Sequence, residues 1–344
     1  MNTGQRVFAV LGDRYRLPWL LALLVITALY AKTPMSVARL DLLLHDLLSV
    51  ELLAGPPNGG SVDTQAPLVI AIDDASLAAR GPWPWPRERH AELVDRLSRA
   101  GVSGIGYAIM FAEPSADDQG DAALIDAVRR AGNVVLPVAP MASAGGGVGT
   151  LQPWPELADA AARLAHVNVE VDADALSRRL FLEAGAGSPQ WPALAWALID
   201  VSRKSRPLSG IGGRRGAAEP AAGSWVRDHE VIVLPGGAWP VAHLSATDVL
   251  AGAVSPNLLR GRSVLVGVTY TGSGSALATP ASALAAPMPA VTFMRAPTRR
   301  CATTATRPSW HRYGACPRRC AYSPRCGCVA RMRGCATCCW SLAR

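Results

Sequence analysis

The first 300 of the 344 residues contain no cysteine. A body without cysteine does not depend on disulfides and is compatible with any redox compartment. Acidic residues are missing from the other end. Residues 294–344 hold eleven Arg but no Lys, Asp or Glu, and all eight cysteines lie between Cys301 and Cys339. The formal charge of +8 therefore belongs to that segment, because residues 1–293 carry 23 basic side chains against 26 acidic ones. Catalytic signatures are lacking as well. There is no G-x-S-x-G elbow, no P-loop and no kinase signature. His90, His166, His229 and His243 form no H-x-x-x-H pair, and a metal site needs convergent ligands. The sequence thus calls for no cofactor and no metal, and an enzyme reading would rest on fold analogy alone.

Residues 17–31 form an uncharged apolar run between Arg14 and Arg16 on one side and Lys32 on the other. Fifteen residues is short for a span, which takes about 20, so the expected anchor extends over residues 17–35. Arg6, Arg14 and Arg16 make residues 1–16 a short cytoplasmic segment and put the rest of the chain outside the cytoplasm. A signal peptide is the rival reading, but Leu29 and Ala31 before Lys32 make a poor cleavage signal. Residues 36–54 read as an amphipathic stalk helix, with Leu40, Leu43, Leu44, Leu47 and Leu48 on one side and Asp41, His45 and Asp46 on the other.

A Gly- and Pro-rich stretch, residues 55–67, opens the main body, residues 55–293. Residues 68–72 are a buried strand and Pro86 opens the next helix. Gly101 stops that helix, and a second apolar strand runs over roughly 102–111. A helix over 121–131 leads into a third strand at 133–138. Alternating strands and helices imply parallel pairing with right-handed crossovers. Further on, 143–150 reads as a flexible loop, 166–171 and 180–185 as paired strands around 172–179, 191–201 as a helix and 206–227 as a loop. A strand over 229–237, a short helix capped by Ser245 and a last buried strand at 263–268 complete the pattern. The expected fold class is α/β, a mixed, mainly parallel sheet with flanking helices, preceded by one membrane helix.

These pieces resemble the second type of CHASE domain, an extracytoplasmic sensory module of bacterial receptors. The residues that carry the resemblance are IAIDDASL with PWPWPR, FAEPS at 111–115, DADALSRR at 172–179, LSATDVLAG at 244–252, LLRGRSVLVGVT at 258–269 and the ATP ending at Pro280. They occur in the family's order from about Arg39 to Phe293. The resemblance implies signal perception in the periplasm or outside the cell, by a domain that follows one amino-terminal helix in the bacterial inner membrane and precedes further membrane helices. It also implies a kinase or cyclase output that this chain lacks. Four positions depart from the pattern: Ala108 and Ser275 stand where Asp is usual, and Ala175 and Ala290 where Gly is usual. A non-Gly residue at a turn that needs positive φ costs about 1 kcal/mol or more.

Five residues form the candidate ligand site: Asp73, Asp74, Trp83, Trp85 and Arg87. Strand ends that turn into helices are where α/β sheets place ligands. Neighbouring strand residues point to opposite faces, so at most one of Asp73 and Asp74 faces that crevice. The plainer reading has one aspartate capping the next turn and the other pairing with Arg87. Trp83 and Trp85 beside a guanidinium would stack on a planar or sugar-like ligand; the competing reading packs them over the sheet edge. Arg178 and Arg179 read as a salt-bridged hairpin. No catalytic residue is assigned. The expected partners are the membrane and a small molecule or envelope signal; a homodimer stays open and nucleic acid is not expected. The alternatives are a periplasmic metal-dependent hydrolase using Asp73 and Asp74, or an envelope protein-interaction scaffold.

The tail over 294–344 admits three readings. Cys326, Cys328, Cys335 and Cys338 fit no standard zinc spacing. Arg alone, without Lys or interleaved helices, is a weak nucleic-acid signal. An excess of Arg, Cys, Pro, Ala and Gly with no acid or Lys is what GC-rich codons yield in a shifted reading frame, and that is the expectation here.

Overall fold

The computed structural model describes residues 13–31, 46, 66–143, 145–203, 223–233, 243–283 and 286–295. The linker before residue 66 and the tail after residue 295 lie outside them, as does the stalk apart from Asp46.

Helix α1 spans Asp13–Ala31 and contains the apolar run. No helix among the described residues is long and apolar enough to cross a membrane. The reason is length. The uncharged residues 17–31 rise about 22 Å as a helix, against a hydrocarbon core of about 30 Å. The expected continuation over 32–35 lies outside the described residues.

The body begins with β1 (Leu68–Ile72), every residue of which is buried. Helices α2 (Asp74–Arg80) and α3 (Arg87–Arg99) lead to β2 (Gly104–Tyr107), and α4 (Asp118–Ala131) leads to β3 (Val134–Ala142). Next come β4 (Val148–Leu151), α5 (Pro155–Ala160) and β5 (Arg163–His166). The second half contains β6 (Arg179–Ala186), β7 (Trp191–Pro192), α6 (Leu194–Arg203), β8 (Trp225–Ile232), β9 (His243–Ser245), α7 (Ala246–Ala251) and α8 (Pro256–Leu259). It closes with β10 (Ser263–Val268), β11 (Ala276–Leu277), β12 (Met288–Pro289) and α9 (Ala290–Met294).

The main sheet has seven strands, in the order β4-β3-β2-β10-β1-β9, with β5 also paired to β3. Strands β5, β3, β2, β10, β1 and β9 run parallel, and β4 returns antiparallel along the outer part of β3. The mixed, mainly parallel sheet is the one the sequence implied. Strand alternation divides its side chains between two cores. Leu68, Ile70 and Ile72 face α3, α4, α5 and α7, where they meet Leu93, Leu97, Leu124, Leu157 and Val249. Val69, Val135 and Leu265 face α6 and α9, where they meet Leu194, Leu198 and Val291. On this second side β2 has no side chains to offer. A Cβ at Gly104 would lie 2.6 Å from Ser202 Oγ and 2.9 Å from Leu198 Cδ1, and one at Gly106 would lie 2.8 Å from Leu265 Cδ2. The two glycines let α6 lie directly on the strand.

Several boundaries differ from the sequence reading. The second strand stops at Tyr107 because Ile109 and Phe111 leave the ladder and fill the first core. The stretch read as a loop over 143–150 contains a turn and the start of β4, whose residues are all half-buried as befits an edge strand. Residues 166–171 do not pair with 180–185. Instead β5 ends at His166 on the main sheet, while β6 forms a separate three-stranded antiparallel sheet with β7 and β8. The helix expected from residue 191 starts at Leu194, because Trp191 and Pro192 pair with Ala184 and Glu183. Trp225 to Arg227, read as loop, begin β8.

Candidate functional site

The sheet brings the C-terminal ends of β9, β1 and β10 side by side, and Asp73 and Asp74 follow directly on β1. Asp73 is the N-cap of α2: its Oδ1 accepts from Ser76 N at 2.9 Å. The same oxygen accepts from Ser245 Oγ at 2.8 Å, and the Ser76 and Ser245 hydroxyls lie 2.9 Å apart. Ser76 Oγ in turn receives Thr247 N at 3.2 Å. Burial pushes the Asp73 carboxyl up, but the hydrogen bonds from Ser76 and Ser245 outweigh it and leave the group below its ordinary value. Ser245, placed at the start of α7 as expected, gives its hydroxyl to Asp73 and makes no side-chain cap bond of its own.

Asp74 is exposed and turns to β10. Its Oδ1 accepts from Thr271 N at 3.1 Å and its Oδ2 from Thr271 Oγ1 at 2.8 Å. The two aspartates thus diverge, one toward β9 and the other toward the loop after β10. Of the plainer reading, the capping half holds and the pairing of Asp74 with Arg87 does not. Arg87 is taken by Asp121, with Nε 3.4 Å from Oδ1, and by the Glu113 carbonyl at 3.2 Å. Its guanidinium lies 4.7 Å from the centre of the Phe111 ring and 5.5 Å from that of Trp154. The cation stack expected for a ligand is made within the fold.

The two tryptophans belong to the same cluster. Trp85 is buried and donates Nε1–H to Gly81 O at 3.1 Å. Trp83 is half-buried, with ring centres 6.4 Å from Trp85 and 5.8 Å from His90. His90 also meets Phe111 edge-on at 5.1 Å and Tyr107 at 6.0 Å. Burial first, and the Arg87 and Arg89 charges second, push the His90 pKa down to about 3, so the ring is neutral. Packing is therefore the observed role of Trp85. Asp73 and Asp74 stand at one rim, and Trp83, Trp85 and Arg87 form an aromatic plug built on α3 and the segment after β2.

Among the described residues the densest charge network is elsewhere, at the turn before β6. Arg178 is only 3% exposed. Its Nε and Nη2 donate to Asp46 Oδ1 and Oδ2 at 2.9 and 2.7 Å. Nη1 donates to Asp172 and Asp174 at 2.9 Å each, and Nη2 also donates to Asp174 Oδ2 at 2.6 Å. Arg179 shares Asp172 at 3.0 Å and reaches Glu230 at 3.0 Å. The Arg178 hydrogen bonds hold the Asp174 carboxyl down to about 2. The salt bridges read from DADALSRR are present, but they stand on a turn, closed by Asp172 N–H donating to Leu176 O at 2.8 Å, and not on a hairpin, because 166–171 do not pair with β6; the stalk residue Asp46 was not foreseen among them. At the tip Ala175 adopts φ 66°, the left-handed conformation that a glycine would take without strain. Ala290, the other position where glycine is usual, simply starts α9. A cavity of about 10 Å³, room for a single water, lies between His166, Leu180, Leu194 and Met294. Among the described residues no group of three His, Cys, Asp or Glu is placed to hold a metal ion.

The CHASE2 domain family matches residues 20–318, and the chain belongs to it. The family consists of extracellular sensory domains. The match starts inside α1 and ends beyond the last described residue. Comparison with curated proteins and with solved structures gives no match.

Proposed function

We propose that this chain is a membrane-anchored extracytoplasmic sensory domain, serving a bacterial receptor whose kinase or cyclase output lies outside residues 1–344. The observation that carries the reading, beside family membership, is α1. Leu20, Leu21, Leu23, Leu24, Val25 and Ile26 are 53–66% exposed on that helix. A contiguous apolar surface of this kind marks a membrane or protein contact, and Arg14 and Arg16 at its start favour a cytoplasmic amino terminus. An anchor over residues 17–35 has about the length that a membrane span takes. The family match begins at residue 20, which supports reading the helix and the sheet as parts of one receptor. Residues 36–54 then serve as the stalk, 55–293 as the sensory domain in the periplasm or outside the cell, and 294–344 as an out-of-frame tail. Resequencing the codons for 285–300 tests the tail: a single-base slip that restores an apolar, helix-forming frame is the expected result.

The signal is a small molecule or an envelope stimulus. Asp74 is exposed at the strand ends, and Asp73, Trp83 and Arg87 are half-buried; of the candidate residues, these four keep surface open to an incoming ligand. No described geometry favours the hydrolase alternative, since Asp73 and Asp74 turn to separate partners. The test is thermal unfolding of the full chain in detergent against a panel of periplasmic metabolites. A ligand at a hundredfold its Kd adds about 2.7 kcal/mol, which raises the melting temperature. If no metabolite shifts the transition and an envelope protein co-purifies instead, the scaffold reading replaces small-molecule sensing.

A further inference from the structure

We propose that the Arg178 turn is the joint that couples the segment entering the sensory domain to the segment leaving it, with the Asp46–Arg178 pair as a clasp that opens and closes. This rests on the sensory reading above and assigns it a route of transmission.

Three contacts within residues 177–180 carry the inference. Arg178 grips Asp46, 132 residues earlier, through a two-point pair in which guanidinium and carboxylate lie fork to fork. Ser177 N donates to Ala278 O at 2.7 Å, which ties the turn to the strand segment after β10. Leu180 packs with Met288 and Phe293, on β12 and α9, in a small core of their own that Leu277 also joins. The entering chain at residue 46 and the leaving chain at 276–294 therefore meet through one short stretch at the start of β6. A shift of this stretch cannot leave either end untouched, because packed interiors transmit displacement.

The charge arrangement suits a clasp that opens. A buried arginine with a single carboxylate would be left bare if that carboxylate withdrew. Arg178 is served by three. When Asp46 withdraws, Nη1 keeps Asp172 and Asp174 and Nη2 keeps Asp174; only Nε loses its partner. Around Arg178 and Arg179 stand four carboxylates, Asp46, Asp172, Asp174 and Glu230, so Asp172, Asp174 and Glu230 still balance the two cations when Asp46 leaves. Arg178 thus keeps carboxylate partners in both forms, with only Nε left without one in the open form, which keeps the two states close in free energy.

The experiment is amide hydrogen exchange on the full chain in detergent, comparing the wild type with Asp46→Asn. That substitution keeps the side-chain volume and removes the ion pair. Exchange is expected to rise about tenfold in the peptide containing residue 46 and also in the peptides covering 276–278 and 288–295, with β1 and β10 unchanged. Coupling is reciprocal, so Phe293→Leu, in the small core with Leu180 and outside the ion pairs of Arg178, is expected to raise exchange at residue 46; it serves equally if Asp46→Asn fails to fold. A rise confined to the mutated end in either variant, or no rise at all, overturns the proposal. No ligand enters this test, so its failure leaves the sensory reading intact, and a failed metabolite screen leaves the clasp intact.

Discussion

Ser245 Oγ donates to Asp73 Oδ1 at 2.8 Å and so joins the ends of two parallel neighbours, β9 and β1, across 172 residues of chain. The same carboxylate oxygen starts α2 through Ser76 N. One aspartate thereby fixes a strand end, a helix start and a sheet edge, at the position where the strand-end rule for α/β folds would look for a ligand.

Removing that carboxylate is expected to be a stability event. Asp73→Ala should lower the unfolding free energy by about 1–2 kcal/mol, the usual cost of losing a helix cap. Asp73→Asn should recover most of it, because asparagine caps as well as aspartate does. Urea denaturation of the full chain distinguishes the two variants. Equal losses in Ala and Asn would mean that the negative charge, not the cap, is what matters.

Ala175 is the strained residue of the turn before β6. Left-handed backbone costs an alanine about 1–2 kcal/mol, and glycine gives part of that back through its freer unfolded chain. Ala175→Gly is therefore expected to stabilise the domain by about 0.5–1 kcal/mol, read as a higher urea midpoint with an unchanged slope. A lower midpoint would contradict the conformation at φ 66°.

The buried histidines set the acid limb. Burial, aided by the Arg87 and Arg89 charges, depresses His90 to about 3. Burial also depresses His166 to about 4, against a backbone contact with Phe181 that pulls the other way. Both are neutral in the fold, whereas the unfolded chain begins to protonate them near their ordinary value of 6.5. Their contribution is thus fully present above pH 6.5 and is lost as pH falls from there toward 3–4, at about 1.4 kcal/mol per pH unit for each ring. His90→Phe keeps an aromatic ring among Trp83, Trp85, Tyr107 and Phe111 and should remove its share of the slope. Stability measured between pH 7 and 4.5 checks this; an unchanged slope would show that His90 does not protonate on unfolding in that window.

How much of this was legible in the sequence depends on the range of the contact. Strands β1 and β10 announce themselves as continuous apolar runs, because both their faces are covered. The Asp73 cap reads from an acid three residues before Ser76 at a helix start. The insertion of β10 between β1 and β2 does not read, since no local pattern pairs residues 68–72 with 264–268. For the same reason Thr271 could not be assigned to Asp74, nor Asp121 to Arg87, nor Asp46 to Arg178. Each is a polar partner delivered by tertiary folding to a residue whose own neighbours suggested another role. The glycines of β2 carry a signal of another kind: G-x-G inside an apolar strand marks a close approach, here by α6.

Sidedness of the domain is the property that most directly tests a membrane-anchored sensor. Ser188 is exposed in the turn between β6 and β7, and the first 300 residues contain no native cysteine. Ser188→Cys, in a chain whose eight tail cysteines are replaced by serine, gives a single thiol to probe with a membrane-impermeant maleimide on intact spheroplasts. The expected result is that the chain sediments with the membrane fraction and that Ser188→Cys is labelled before lysis. A chain recovered in the supernatant, or labelled only after lysis, would contradict a membrane-anchored extracytoplasmic sensor.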